Sequence, residues 1–381
     1  MTKSLNVGVI GCGMISDWYF KAAKRFKQLN IIACADLNQE LAEKQGKEYG
    51  IPVWQADEIY SSPKIQLIIN LTPPKVHYYV MKRALESGKH AYSEKPLGVD
   101  LAQAKELLDI AKKKKLYVGC APDTFMGGGH QTARKLLDDG WIGKVFAGTA
   151  MFMSRGPEKW KHAPAFYDIG AGPLLDIGPY FVTQLINLLG PAVAVTAVVT
   201  KGSDFREGGE ETEPHIYPIN VPTHQAGIIE FASGAQITLI GSYEVYKSSH
   251  PFIELYGTNG SLQMHHPNWF GGSVKVFQPG YDDWKEVPPS HIYNTDARSV
   301  GVADMITSII DKKAARASGE LAYHALEIML SLEKSSKLQR RVVLESTCKR
   351  PEAMPLGLTD GNVEPIVMPK KKTASRKVSK A

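Results

Sequence analysis

At 381 residues the chain is long for a single hydrophobic core and fits two domains. With 43% hydrophobic and 22% charged residues it reads as an ordinary globular protein and not as a fibrous or wholly disordered one. The formal charge of +6 does not indicate a nucleic-acid surface, because residues 370–381 hold Lys370, Lys371, Lys372, Arg376, Lys377 and Lys380 without an acid, which leaves the rest of the chain neutral.

That basic end has too little apolar surface to fold and is expected to be a solvated, disordered tail. Cys12, Cys34, Cys120 and Cys348 form no CxxC pair and are expected to be buried, reduced thiols. The first strand starts within a few residues with no long apolar region before it, and no stretch reaches the length of a membrane span, so the cytoplasm is the expected compartment, with no membrane partner.

Residues 5–10 form an apolar run and predict a buried strand. Ile15, Trp18, Tyr19, Ala22, Ala23, Phe26 and Leu29 then fall on one helix face. A second strand over 31–35 ends at Asp36, and a polar helix follows to Gly50. The run 65–71 predicts a third strand. Pro74 suits the first turn of the next helix and Gly88 its stop. Strands at 90–93 and 116–120 flank a helix marked by Leu101, Ala104, Leu107, Leu108 and Ala111. Strands alternating with helices imply a doubly wound parallel sheet over residues 1–122. Beyond it come a strand near 145–156, a helix over 174–189, and extended runs at 192–200, 224–231, 235–243, 252–257 and 273–277. Two helices near 297–315 and 321–338 close this part. The pattern predicts an α+β domain with a mostly antiparallel sheet over 123–350, then a proline-containing extension and the tail over 351–381.

Gly11-Cys12-Gly13-Met14-Ile15-Ser16 links the first strand to the first helix. Gly11 permits the tight turn, and Gly13 lets the backbone approach a pyrophosphate held at the helix N-terminus. Ser16 is small enough for close strand–helix packing. Asp36, 25 residues after Gly11, is placed to accept the ribose hydroxyls of the adenosine half. Strand, glycine turn, helix and acid together indicate a Rossmann domain. A carboxylate there would repel a 2′-phosphate, and Leu37 and Asn38 supply no arginine for one, so NAD is expected in preference to NADP.

Four segments carry a further resemblance: the turn at 11–16, Asn70-Leu71-Thr72-Pro73-Pro74 with His77, Glu94-Lys95-Pro96, and the run Gly170 to Tyr180 with Asp176 inside it. In these the sequence resembles the Gfo/Idh/MocA family of sugar and inositol dehydrogenases. The resemblance implies a Rossmann domain followed by a large, open, mostly antiparallel sheet, and dimers or tetramers packed through those sheets. It also implies an oxidoreductase that moves hydride between nicotinamide and a hydroxyl or ketone carbon of a sugar, glycoside or cyclitol. Thr72, Pro73 and His77 are expected near the cofactor, and Glu94 is expected either to contact it or to hold Lys95.

Lys95 sits at a strand end, where ligands bind in an open parallel sheet, and either gives up its proton on burial or stabilises an alkoxide. Asp176 and Tyr180 are four apart and expected on one helix face. Relatives often have histidine at the position of Tyr180. Two roles therefore stay open for it: a relay with its pKa lowered by Lys95, or a hydrogen bond to substrate while Lys95 or Asp176 handles the proton. Asp123, Trp160, His162, Tyr167 and Asp168 are further candidates for the substrate side. His265-His266 and the other histidines lack metal-ligand spacing, so no metal is expected. Two other readings compete: glycoside cleavage through transient oxidation, and a non-catalytic NAD-binding regulator.

Overall fold

The computed structural model describes residues 4–160, 162–208 and 215–365. The predicted basic tail lies outside them. In the first domain five parallel strands, β1 (Leu5–Ile10), β2 (Leu29–Ala35), β3 (Leu67–Asn70), β4 (His90–Ser93) and β5 (Val118–Cys120), stand in the order β2-β1-β3-β4-β5. An isolated parallel bridge from Cys34 to Val53 extends the β2 edge. Val7, Val9, Leu67, Ile68, Ile69, Ala91 and Tyr92 are all buried, because helices cover both faces of the sheet.

The helices follow from local signals. Helix α1 (Met14–Ala23) opens at Gly13 with no capping side chain. Asn38 caps α2 (Gln39–Tyr49), accepting from Glu40 N at 3.0 Å, and Gly50 closes it in the left-handed region. A short helix α3 (Ala56–Ser61) was not foreseen. Pro74 starts a single 3-10 turn that leads into α4 (His77–Glu86), and Asp100 caps α5 (Leu101–Lys114). The first helix ends earlier than its apolar spacing suggests. Phe26 and Leu29 are still buried, but Phe26 sits in the turn and Leu29 opens β2.

The second sheet has nine strands: β6 (Val145–Met153), β7 (Ala192–Thr200), β10 (His224–Phe231), β11 (Gln236–Ser242), β12 (Ile253–Gly257), β13 (Gly260–Met264), β14 (Val274–Phe277), β15 (Lys285–Val287) and β16 (Val342–Val343). Every neighbouring pair is antiparallel except β6 with β11. A separate hairpin, β8 (Phe205–Gly208) with β9 (His215–Pro218), stands beside it. Helix α6 (Gly128–Asp138), the five-residue α7 (Gly172–Asp176), the wholly buried α8 (Gly178–Leu189), α9 (Val300–Asp311) and α10 (Gly319–Leu338) complete the domain. α10 packs against β7 and β10, where Val195 and Ile229 are buried, and α8 packs against β6. The opposite face carries Thr196, Ile228, Thr238 and Thr149 in one row and is largely open.

The predicted helix over 174–189 is two helices. The chain breaks at Ile177, which ends α7 and precedes α8, so Asp176 and Tyr180 do not share one helix. The turn at Ile177 re-aims Asp176 independently of Tyr180. The described part of the proline-containing extension packs back on the body: Arg134 holds the Pro351 carbonyl at 3.1 Å, and Arg25 of the first domain pairs with Asp360 at 2.6 Å.

Candidate active site

The glycine turn is built tightly. Gly11 has φ +102°, and a Cβ there would stand 2.6 Å from the Leu71 carbonyl carbon and 2.8 Å from Thr72 N. Gly13 is the opposite case: a Cβ would meet nothing within 4 Å. An open cradle at an uncapped helix N-terminus suits a diphosphate, so the residues present fit a dinucleotide. Met14 is exposed and Ile15 half-buried at this mouth, while Ser16 is buried and turns its hydroxyl back onto the Gly13 carbonyl at 2.6 Å. Asp36 braces the turn from below, accepting Cys12 N at 2.7 Å through one oxygen and Asn38 N at 2.8 Å through the other.

At the next two strand ends, Thr72 bonds Asn70 Oδ1 through its hydroxyl at 2.6 Å, and Pro73 is exposed beside it. His77 does not face the cleft. It is fully buried, with Nδ1 2.7 Å from the Pro96 carbonyl and Nε2 2.6 Å from the Thr72 carbonyl. The ring is a strut that ties the Thr72 loop to the Glu94-Lys95-Pro96 loop, and burial pushes its pKa down. Glu94 accepts from the Tyr19 hydroxyl at 2.8 Å and from Lys95 N at 3.0 Å.

Lys95 and Asp176 meet across the two domains. Lys95 Nζ donates to Asp176 Oδ1 and to the Asp176 carbonyl, both at 2.7 Å, with the two side chains only 15% and 16% exposed. Tyr180 lies beneath, its ring centroid 5.2 Å from Nζ. Burial works against the ammonium, but Asp176, Tyr180 and Glu94 outweigh it and hold Lys95 above the ordinary lysine range. Of the two roles open for a buried lysine, this direction favours a charged group over ready proton loss. For Tyr180, burial raises the phenol above its ordinary value although Lys95 pulls the other way. The other oxygen of Asp176 accepts from the hydroxyl of Tyr243 at 2.6 Å. Sequence reasoning missed Tyr243, which follows β11 directly and is 2% exposed.

The comparisons bear on this arrangement. Residues 5–121 match a model described as an oxidoreductase family with an NAD-binding Rossmann fold, and residues 130–263 match the GFO/IDH/MocA C-terminal domain. The chain belongs to the Gfo/Idh/MocA family. An uncharacterised oxidoreductase of Schizosaccharomyces pombe is 33% identical over 144 residues, 37% of this chain and 38% of the relative. The match thus spans less than two fifths of that relative. Levoglucosan dehydrogenase of Pseudarthrobacter phenanthrenivorans is 25% identical over 300 residues, 69% of this chain and 74% of the relative. Among solved structures, a levoglucosan dehydrogenase in complex with NADH and L-sorbose superposes with a TM-score of 0.76 at 21% identity, covering 91% of this chain and 100% of that one.

Within this Gfo/Idh/MocA fold the remaining candidates fall outside the Lys95–Asp176 contact. Asp123 is 2% exposed and caps α9, accepting Gly301 N at 3.0 Å. Trp160 is exposed and stacks edge-on against Phe166, and His162 is exposed. Tyr167 is fully buried, with its hydroxyl on the Arg155 carbonyl at 2.9 Å and Arg206 Nη1 at 3.0 Å. It packs 5.7 Å from Tyr243, ring to ring, and so backs the site from behind. Asp168 pairs with Lys75, joining the loop before α7 to the loop after β3. Among the described residues no three His, Cys, Asp or Glu side chains are grouped to hold a metal.

Burial lifts the Asp123 carboxyl from 3.8 to about 7. A raised folded-state pKa makes its contribution to stability full below the ordinary carboxylate value and lost as pH climbs through about 7. Asp123→Asn keeps an oxygen for the Gly301 amide and removes the charge. Thermal melts of the variant should exceed the parent at about pH 8 and match it near pH 4. Identical differences at both pH values would refute the assignment.

Proposed function

We propose that this chain is an NAD-dependent dehydrogenase that oxidises a hydroxyl-bearing carbon of a sugar, glycoside or cyclitol, or reduces the matching ketone. The observation that carries the reading is the buried Lys95–Asp176 pair at the end of β4, on the side of the sheet where the glycine turn opens. Relatives named levoglucosan dehydrogenase, D-glucoside 3-dehydrogenase and inositol 2-dehydrogenase support the substrate class. Gly11, Gly13 and the first turn of α1 would hold the diphosphate of NAD, and Asp36 the adenosine ribose. NAD supplies the hydride acceptor when bound.

In the proposed site Lys95, held charged, stabilises negative charge on the substrate oxygen as its proton leaves. Tyr180, with its pKa raised, keeps its proton near neutral pH and serves as a hydrogen-bond donor or acceptor to that oxygen. Asp176 is then the group left to take the proton. Each of its oxygens accepts one bond from Lys95 or Tyr243 and retains a lone pair for another. Tyr243 orients the carboxylate so that this lone pair faces the cleft.

A screen of sugars, glycosides and inositols with NAD, followed at the NADH absorbance, tests the reading. No turnover with any of them would sink it. Release of a leaving group without NADH accumulation would replace it with cleavage through transient oxidation. We also propose that a second copy covers the open face of the nine-stranded sheet, where Val198 is 66% and Ile228 43% exposed. A monomer on gel filtration would refute this. A reducing, cytoplasmic setting suits Cys12, Cys34 and Cys120, which are buried and unpaired. No described helix is long and apolar enough to cross a membrane.

A further inference from the structure

The loop entering α9 lies along α1. Arg25 Nη1 donates to the Asp296 carbonyl at 2.8 Å, and Ser299 Oγ donates to the Tyr19 carbonyl at 3.3 Å. Between those ties Arg298 sets its guanidinium over the ring of Trp18, 5.6 Å from the centroid. Side chains on a helix lean toward its N-terminus and cover the turn before their own Cα. Trp18 therefore leans toward the turn that begins at Met14, and Arg298 stacks on its ring on that helix. Tyr180, Asp123 and Glu94 also lie close enough to act on this charge. Arg298 thus packs on the same helix, α1, whose Tyr19 reaches Glu94 beside Lys95.

We propose that Arg298, supplied by the second domain, is a binding residue for the diphosphate of the dinucleotide and clamps it against α1. Its side chain is 12% exposed, so the guanidinium is partly desolvated and fixed rather than waving in solvent. Asp296 takes one N–H of Nη1, and Asn268 Oδ1 takes one of Nη2 at 3.2 Å. Three of the five donors remain for a ligand, in the planar fork that matches phosphate oxygens. Asp296 and Asn268 hold the fork in place before the ligand arrives. The consequence is that cofactor affinity depends on the second domain as well as on the Rossmann turn.

The inference rests on the NAD reading of that turn, and a binding measurement separates the two. ADP-ribose carries the diphosphate without nicotinamide, and adenosine lacks both. Calorimetric titration of Arg298→Ala should show ADP-ribose affinity lowered about tenfold or more and adenosine affinity unchanged. Arg298→Lys keeps a charge without the fork and should recover part of the loss. Asn268→Ala leaves the arginine in place but frees Nη2, and should weaken ADP-ribose about two- to fivefold, which guards against misfolding of the first variant. Equal ADP-ribose binding by the parent chain and Arg298→Ala would overturn the inference alone. A parallel loss of adenosine binding would overturn it too, since the effect would not be on the diphosphate. Failure of the parent chain to bind ADP-ribose at all would overturn the cofactor reading and this inference with it.

Discussion

Lys95→Met is expected to lower kcat by about 10²–10³-fold, the scale of losing one preorganised donor to a developing oxyanion. NAD affinity should stay within about threefold, because the cofactor contacts proposed above lie in the glycine turn, at Asp36 and at Arg298. The variant should also melt earlier. Removing one partner of a partly buried pair leaves the Asp176 carboxylate uncompensated, at a cost of up to about 3–5 kcal/mol. Lys95→Met/Asp176→Asn removes both charges and should recover most of that stability while remaining inactive. Stopped-flow or steady-state rates, NAD titration and thermal melts on the three proteins separate catalysis from folding. Full turnover by the single variant would refute the role of Lys95. Loss of turnover accompanied by equal loss of NAD binding would move Lys95 from the chemistry to the cofactor.

Gly11→Ala is the second large effect. At φ +102° an L-residue is strained by about 1–3 kcal/mol, and its methyl would stand 2.6 Å from backbone of Leu71, which has no flexible end to move aside. The β1–α1 turn must then shift away from the β3 end. Since Asp36 holds Cys12 N at 2.7 Å, the shift should propagate to the ribose position as well. NAD affinity is expected to fall at least about tenfold, or ~1.4 kcal/mol, with a lower melting temperature. Gly13→Ala is the control. Its methyl meets nothing in the free protein, so stability should be nearly unaffected while NAD affinity falls. If Gly13→Ala binds NAD as the parent does, the diphosphate does not use that cradle.

Strand by strand, the first sheet was legible because a parallel strand buried on both faces must be apolar throughout, as Leu67-Ile68-Ile69 is. The antiparallel domain was legible where turns punctuate it, at Ala232 to Gly234 and at Thr258 to Gly260. Helix α6 was not. It opens on Gly128 and Gly129 and buries His130, Gln131, Thr132 and Arg134, so its apolar residues are confined to Ala133, Leu136 and Leu137. Gly129 is there because a Cβ would strike His265 at 2.4 Å, a constraint set by a residue 136 positions away. The hairpin of β8 and β9 was missed for a related reason. Its four-residue strands are too short to show a period, and what it buries is Tyr217 and Arg206, the latter held by Tyr167, Tyr243 and Glu244.

The glycine turn, Asp36 and the Glu94-Lys95-Pro96 triplet are local: chain geometry, charge and strand ends act within a few residues of each, and they suffice to read a dinucleotide site and a lysine beside it. The protonation of that lysine is not local. Asp176 lies 81 residues further on and reaches Lys95 because the chain breaks at Ile177, and Tyr243 arrives on Asp176 from the end of β11, a further 67 residues on. A pKa follows the charges and solvent around a group, and those neighbours exist only once both domains are folded together. The same holds for Arg298, which in sequence is one more charge before a helix and in the fold stands over Trp18.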